Sequence, residues 1–76
     1  MTRYIKLIIP KDLVDEPIIY KMVTLYQVQT NILEARLDAH SVGQVSLEVK
    51  GSDENIDNSI NYLRGLNIEV IEQPAQ

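Results

Sequence analysis

The chain has 76 residues, with seven basic and eleven acidic side chains, a net charge of −4, 45% apolar residues and no cysteine. That is enough for one small domain spanning residues 1–76 and too little to bury a large core, so modest stability is expected. The acidic balance argues against nucleic-acid binding, which needs a basic face to displace counterions, and the lack of Cys excludes disulfides, thiolate zinc sites and iron–sulfur clusters.

No apolar run approaches the roughly 18 residues of a membrane span. The start, "MTRYIKLIIPKD", has too short an apolar run for a signal peptide. A soluble, cytoplasmic protein without membrane insertion is therefore expected.

In chain order, "TRYIKLIIP" (2–10) alternates as a strand, with Arg3, Ile5, Leu7 and Ile9 on one face and Tyr4, Lys6 and Ile8 on the other, and Pro10 ends it. "KDLVDE" is a loop in which Asp15 is placed to cap a helix at 17–27, "PIIYKMVTLYQ". There Ile19, Met22, Val23 and Tyr26 form an apolar stripe, widened by Ile18 and Leu25. "QTNILEARLDA" (29–39) reads as a second strand, with Asn31, Leu33, Ala35 and Leu37 toward the core and Thr30, Ile32, Glu34, Arg36 and Asp38 away from it. After the loop "HSVGQ", "VSLEVKG" (45–51) is a third strand with Val45, Leu47 and Val49 inside. "SDENIDNSINYLRG" (52–65) is a helix capped by Ser52 or Asp53, with Ile56, Ile60 and Leu63 as its buried stripe and Gly65 as its stop. "NIEVIEQ" (67–73) is the last strand, and "PAQ" is a tail.

Charge pairing sets an expected register for the second and third strands. Pairs whose numbers sum to 84 place Arg36 opposite Glu48 and Glu34 opposite Lys50, joined by a five-residue loop at 40–44.

The order βαββαβ with right-handed crossovers predicts an α+β, ferredoxin-like sandwich. It has a four-stranded antiparallel sheet of order 4-1-3-2 and two helices on one face. The other face would carry Tyr4, Lys6, Ile8, Ile32, Glu34, Arg36, Ser46, Glu48, Lys50, Glu69 and Ile71. Two readings of it stand: a solvated face with scattered apolar residues, or a homodimer face whose apolar part is Tyr4, Ile8, Ile32 and Ile71.

No catalytic constellation is present, and the chain reads as non-enzymatic. The first and third strands offer only Tyr4 for base stacking, and "PKDLVDEP" lacks the Gly-rich cradle and Arg of a phosphate site. His40 is the single His and reads as an exposed loop residue rather than a ligand or base. Asp53, Glu54 and Asp57 read as helix-dipole partners rather than cation ligands, and Tyr20, Tyr26 and Tyr62 as helix-to-sheet packing. No cofactor or metal is expected.

The ordered combination of Asn31-Ile32-Leu33, Gly43 ahead of the third strand, "LEVKG", and "I-x-x-x-I-x-Y-L-R" before the last strand resembles the NIL domain family, over almost the whole chain. The resemblance implies an ACT-like regulatory domain. Relatives of this kind sit at the C-terminus of methionine-import ABC transporter ATPases, where they dimerise, bind methionine and inhibit transport. Others precede a four-iron ferredoxin module or stand alone. This chain has neither a Walker motif nor cluster cysteines and starts with Met, so a stand-alone version is expected. By the same resemblance Asn31 is a ligand-binding residue at a dimer interface, with Ile32, Leu33 and Gly43 beside it. From the residues alone, the favoured reading of Asn31 is a strand-start amide closing local hydrogen bonds, and it is the resemblance that reverses this preference.

The leading expectation is a regulatory homodimer that binds a small amino acid and modulates a partner such as a transporter. The competing one is a protein-interaction adaptor for a transporter or ferredoxin-type redox partner, without a small ligand.

Overall fold

A computed structural model describes residues 1–37 and 42–74. The order is β1 (Thr2–Ile9), a single 3-10 turn (Lys11–Leu13), α1 (Ile18–Tyr26), β2 (Gln29–Leu37), β3 (Gly43–Lys50), α2 (Asp53–Gly65) and β4 (Glu69–Gln73). The four strands form one sheet of order β2-β3-β1-β4, antiparallel throughout. This is the expected ferredoxin-like α+β sandwich.

The core lies between the helices and one face of the sheet. Ile5, Leu7 and Ile9 of β1, and Leu47 and Val49 of β3, meet Ile18 and Met22 of α1 and Ile56, Ile60 and Leu63 of α2. Val28, Ile68 and Val70 close the two ends. Burial alternates along β1 and β3 as the period of two requires.

The helices are built from local signals. In α2, Ser52 Oγ accepts from the Asn55 backbone N–H at 3.1 Å, Asp53 and Glu54 sit in the first turn, and Arg64 in the last. Gly65 is still helical, however. The left-handed residue is Asn67 (φ 67°), and the Ile68 N–H then closes back on the Leu63 carbonyl at 3.2 Å. Asn tolerates that conformation because its short polar side chain can bond locally.

α1 differs from expectation at its start. It opens at Ile18 behind Pro17 with no side-chain cap, and Asp15 lies outside it. Its stripe is also narrower, because Leu25 is exposed. Tyr26 and Tyr62 pack the helices against each other, ring centroids 5.4 Å apart and tilted by 47°. Tyr20 is exposed.

The largest departure is β2. Its register against β3 is not the one that pairs opposite charges: Arg36 faces Gln44, Glu34 faces Ser46 and Asn31 faces Glu48. The pairing shifts by one residue between Ile32 and Glu34, leaving Leu33 as a bulge. Leu37 faces Gly43, so β3 starts earlier than expected. The charges pair along each strand instead. Arg36 Nε lies 3.1 Å from Glu34 Oε1, and Lys50 Nζ 3.7 Å from Glu48 Oε1.

The reason is coverage. Cross-strand ion pairs contribute only about 0.2–1 kcal/mol each, and parity is enforced only where one face is buried. The helices scarcely cover β2, where Ile32, Leu33 and Leu37 are 59%, 50% and 66% exposed.

Candidate ligand site

Residues directly opposite in an antiparallel pair share a face. Tyr4, Lys6 and Ile8 therefore share the open face of the sheet with Glu48, Ser46 and Gln44, and with Gln73, Ile71 and Glu69 across β4. Glu34 and Arg36 lie there too. Ile32 does not: it faces Leu47 and belongs to the helix side. The bulge reverses the first half of β2, so Asn31, expected at the rim of the core face, stands on the open face.

That reversal assembles a polar site. Asn31 Nδ2 donates to Glu48 Oε1 at 3.3 Å, and the Tyr4 hydroxyl donates to Glu48 Oε2 at 3.4 Å. The Lys50 ammonium, on the same face, completes the surround of the carboxylate. All three distances lie at the long end for such contacts. Gln29, Thr30, Asn31, Glu48 and Lys50 line a shallow depression of about 250 Å³.

β3 gives Glu48 its position, because Leu47 and Val49 on either side are fixed in the core and turn the intervening side chain outward. The Glu48 side chain is only 20% exposed, while Lys50 at the strand end reaches into solvent. An amide, a carboxylate and an ammonium within one depression can bind a small zwitterion: the carboxylate takes an ammonium, Lys50 takes a carboxylate, and the amide serves either.

Of the other expected site residues, Ile32 and Leu33 are exposed beside Asn31 on the strand edge. Gly43 is buried at the opposite end of the sheet, between Ile9 and Leu37. A Cβ there would meet Val14 Cγ1 at 3.5 Å, an ordinary contact, so close packing does not demand glycine. One subunit thus does not bring Gly43 to Asn31. Tyr4, Ile8 and Ile71 of the expected dimer face do share the open face, interleaved with Lys6, Glu69 and Gln44. His40 and the loop around it lie outside the described residues.

Glu48 and Lys50 are the site residues that sequence reasoning missed. Their alternation with Val49 put them on the open face, but unbroken alternation along β2, without the bulge at Leu33, put Asn31 on the other.

The acids of α2 have a different task. Arg3 Nη1 donates to Asp57 Oδ1 at 2.7 Å and lies 3.5 Å from Asp53 Oδ1, while Nη2 meets Glu72 Oε1 at 2.6 Å. These partners raise the Arg3 pKa above its usual value, the Asp57 hydrogen bond most and then that of Glu72. Asp53 and Asp57 therefore tie α2 to β1 and β4. Among the described residues, no three His, Cys, Asp or Glu converge as a metal site. No described helix is long and apolar enough to cross a membrane.

Comparison with known proteins agrees with this architecture. The C-terminal domain of an ABC transporter ATP-binding protein from Enterococcus faecalis superposes with a TM-score of 0.81 at 25% identity, over 97% of this chain and 86% of that one. A de novo designed protein, Foldit4, shares the fold alone, with a TM-score of 0.57 and 13% identity over 99% and 97% of the two chains. An uncharacterized protein of Synechocystis sp. is 36% identical over 66 residues, which are 86% of this chain and 68% of that protein. Residues 3–72 match the NIL domain, and the chain belongs to the NIL domain family.

Proposed function

We propose that the chain is a non-enzymatic regulatory module. It acts in the cytoplasm as a homodimer that binds a small zwitterionic metabolite, an amino acid such as methionine, and modulates a partner of the transporter kind. The observation that carries this reading is the placement of Asn31 beside Glu48 and Lys50 in an open polar depression. The kinship with a transporter ATPase's C-terminal domain supports the regulatory role and the kind of partner.

An open depression on one subunit gives a small ligand few contacts, and affinity rises when a second surface closes over it. A signal then follows from differential affinity alone: a ligand that fits one dimer arrangement better shifts the population toward it.

Calorimetry and thermal shift against a panel of amino acids test the reading, with wild type, Asn31→Ala and Lys50→Ala. Saturable stabilisation by an apolar amino acid, lost in both variants, is expected. A flat response of the wild type to every amino acid would reject the sensor.

A second reading, the adaptor for a transporter or ferredoxin-type protein, draws on a separate feature. An apolar groove of about 260 Å³ runs between the start of α1 and β3, lined by Ile9, Val14, Pro17, Ile19, Tyr20 and Val45. A flat ligand response together with a co-purifying protein, released by Tyr20→Lys, favours that alternative.

A further inference from the structure

β2 carries one residue more than the stretch of β3 it pairs with, and nothing local decides where that residue sits. Four pairs run from Gln29 opposite Lys50 to Ile32 opposite Leu47, Leu33 is passed over, and pairing resumes with Glu34 opposite Ser46. A bulge can be fixed in place by a left-handed residue, usually glycine. Among the described residues the left-handed ones are Gln27 and Asn67, both outside β2. Burial does not fix the bulge either. Ile32 and Leu33 are both exposed, on an edge strand held by β3 alone, where register is weakly specified.

The flanks of this stretch are anchored. Val28 is buried and packs on Gly51, where an added Cβ would lie 3.2 Å from Val28 Cγ1. Past the bulge, Glu34 and Ala35 face Ser46 and Val45. Between these anchors the extra residue can move from Leu33 to Gln29 without disturbing either. The shifted register sets Thr30 opposite Lys50, Asn31 opposite Val49, Ile32 opposite Glu48 and Leu33 opposite Leu47, as many pairs as before. Thr30, Asn31 and Ile32 each change face, and Leu33 enters the ladder. Leu33 replaces Ile32 beside Leu47, an exchange of two aliphatic groups of equal size. Ile32 replaces Asn31 beside Glu48. This shifted register is the unbroken alternation that the bare sequence shows.

We propose that β2 is a two-register switch in which the bulge exchanges between Leu33 and Gln29, and an amino acid held by Asn31, Glu48 and Lys50 draws it to Leu33. The switch rests on the sensor reading above and supplies its moving part. In the free chain the polar tie that favours the bulge at Leu33 is one long hydrogen bond, Asn31 Nδ2 to Glu48 Oε1 at 3.3 Å, so the two registers lie close in energy. In the shifted register Asn31 is turned away from Glu48. A ligand that needs both residues therefore binds the two states unequally, and that difference moves the population. The output is a change of surface: the open face loses Ile32 and gains Asn31 when the site fills.

Backbone NMR on the isotope-labelled wild type tests the exchange before any ligand is added. Relaxation dispersion reads the microsecond-to-millisecond range of collective shifts. Dispersion is expected at residues 30–33 and 47–50 and not in β4. Cross-strand contacts of Glu48 should reach both Asn31 and Ile32. Saturating methionine should quench the dispersion and leave the Asn31 contacts alone.

Two substitutions at exposed positions push the balance in opposite directions. Ile32→Thr removes the aliphatic group that faces Leu47 when the bulge is at Leu33. It should move the Glu48 contacts of the free protein from residue 31 to residue 32 and lower the apparent methionine affinity about threefold. Leu33→Thr removes the group that faces Leu47 in the shifted register. It should quench the dispersion without methionine and raise the affinity by no more than about twofold.

Flat dispersion with contacts from Glu48 to Asn31 alone in the free wild type overturns the switch. If methionine still binds that chain, the sensor stands on a rigid strand. Contacts that move the same way in Ile32→Thr and Leu33→Thr overturn the switch as well. Two registers in a free chain that answers to no amino acid overturn the ligand coupling together with the sensor.

Discussion

The two edges of the sheet solve the same problem in opposite ways. β4 is short, follows the buried Ile68, sends Val70 into the core, and is pinned by Glu72 to Arg3 and by the Arg64 guanidinium, which donates to the Val70 carbonyl at 3.1 Å. β2 is nearly twice as long, holds only β3, and has apolar side chains exposed toward the helix side as well as at the bulge. One edge is finished within the subunit and the other is not. In a chain of 76 residues two helices suffice to cover three strands, and the fourth is left with its side chains in water. Asn31, Ile32 and Leu33, three of the residues expected to carry function, are on that uncovered strand.

Matched substitutions on the two sides probe the contrast most sharply. Ile68→Ala removes a side chain that is 1% exposed and should cost about 2–5 kcal/mol in urea unfolding, enough to unfold much of so small a domain. Ile32→Ala removes the same group from the open strand and should change stability by less than about 0.5 kcal/mol. Equal costs would mean that β2 is covered in solution even at low concentration, and the comparison would fail. A loss at Ile32 that grows with protein concentration would sharpen it, because burial would then come from a second copy.

The same division explains what could be read in advance. Strand order, helix placement and the faces of β1 and β3 follow from periodic patterns that the core enforces, and Ser52 is a cap because its partner is three residues away. The register of β2 was not legible. Alternation of Asn31, Leu33, Ala35 and Leu37 resembles a core row, yet no core meets it, and a bulge at Leu33 reverses half the strand. Asn31 was singled out only through the family resemblance, and Glu48 only by the pairing that places it opposite. The stop of α2 misled for a local reason: Gly65 is the usual signal, but Asn67 supplies the left-handed residue.

In the polar cluster where β3 meets the open strand, the expected losses are in binding rather than in folding. Glu48→Gln keeps a side chain that can hydrogen-bond to Asn31 and Tyr4 but removes the charge that would hold an ammonium. Affinity for an amino acid should fall about tenfold or more by calorimetry, with the melting temperature of the free protein little changed. A large drop in melting temperature would show that the cluster is a structural tie, as on the β4 side. There, Arg3→Ala should cost about 1 kcal/mol, since one half-buried guanidinium serves Asp57, Glu72 and Asp53 together. Raised salt should narrow the gap between Arg3→Ala and the wild type in the same unfolding experiment.

The smallest expected effect discriminates most finely. Glu34 and Arg36 are both well exposed and already pair within their own strand. In dilute monomer, Glu34→Gln should therefore change unfolding free energy by less than about 0.5 kcal/mol. On β4, Glu72→Gln removes an acceptor that Arg3 contacts through both Nε and Nη2, at 2.9 and 2.6 Å, and should cost measurably more. If the two substitutions prove equal in dilute solution, the β4 edge owes little to its ion pairs, and Val70 with Ile68 alone distinguishes it from β2. If Glu34→Gln becomes the costlier of the two only as concentration rises, its carboxylate has found a partner outside its own chain. The open strand is then the half of the fold that a second subunit completes.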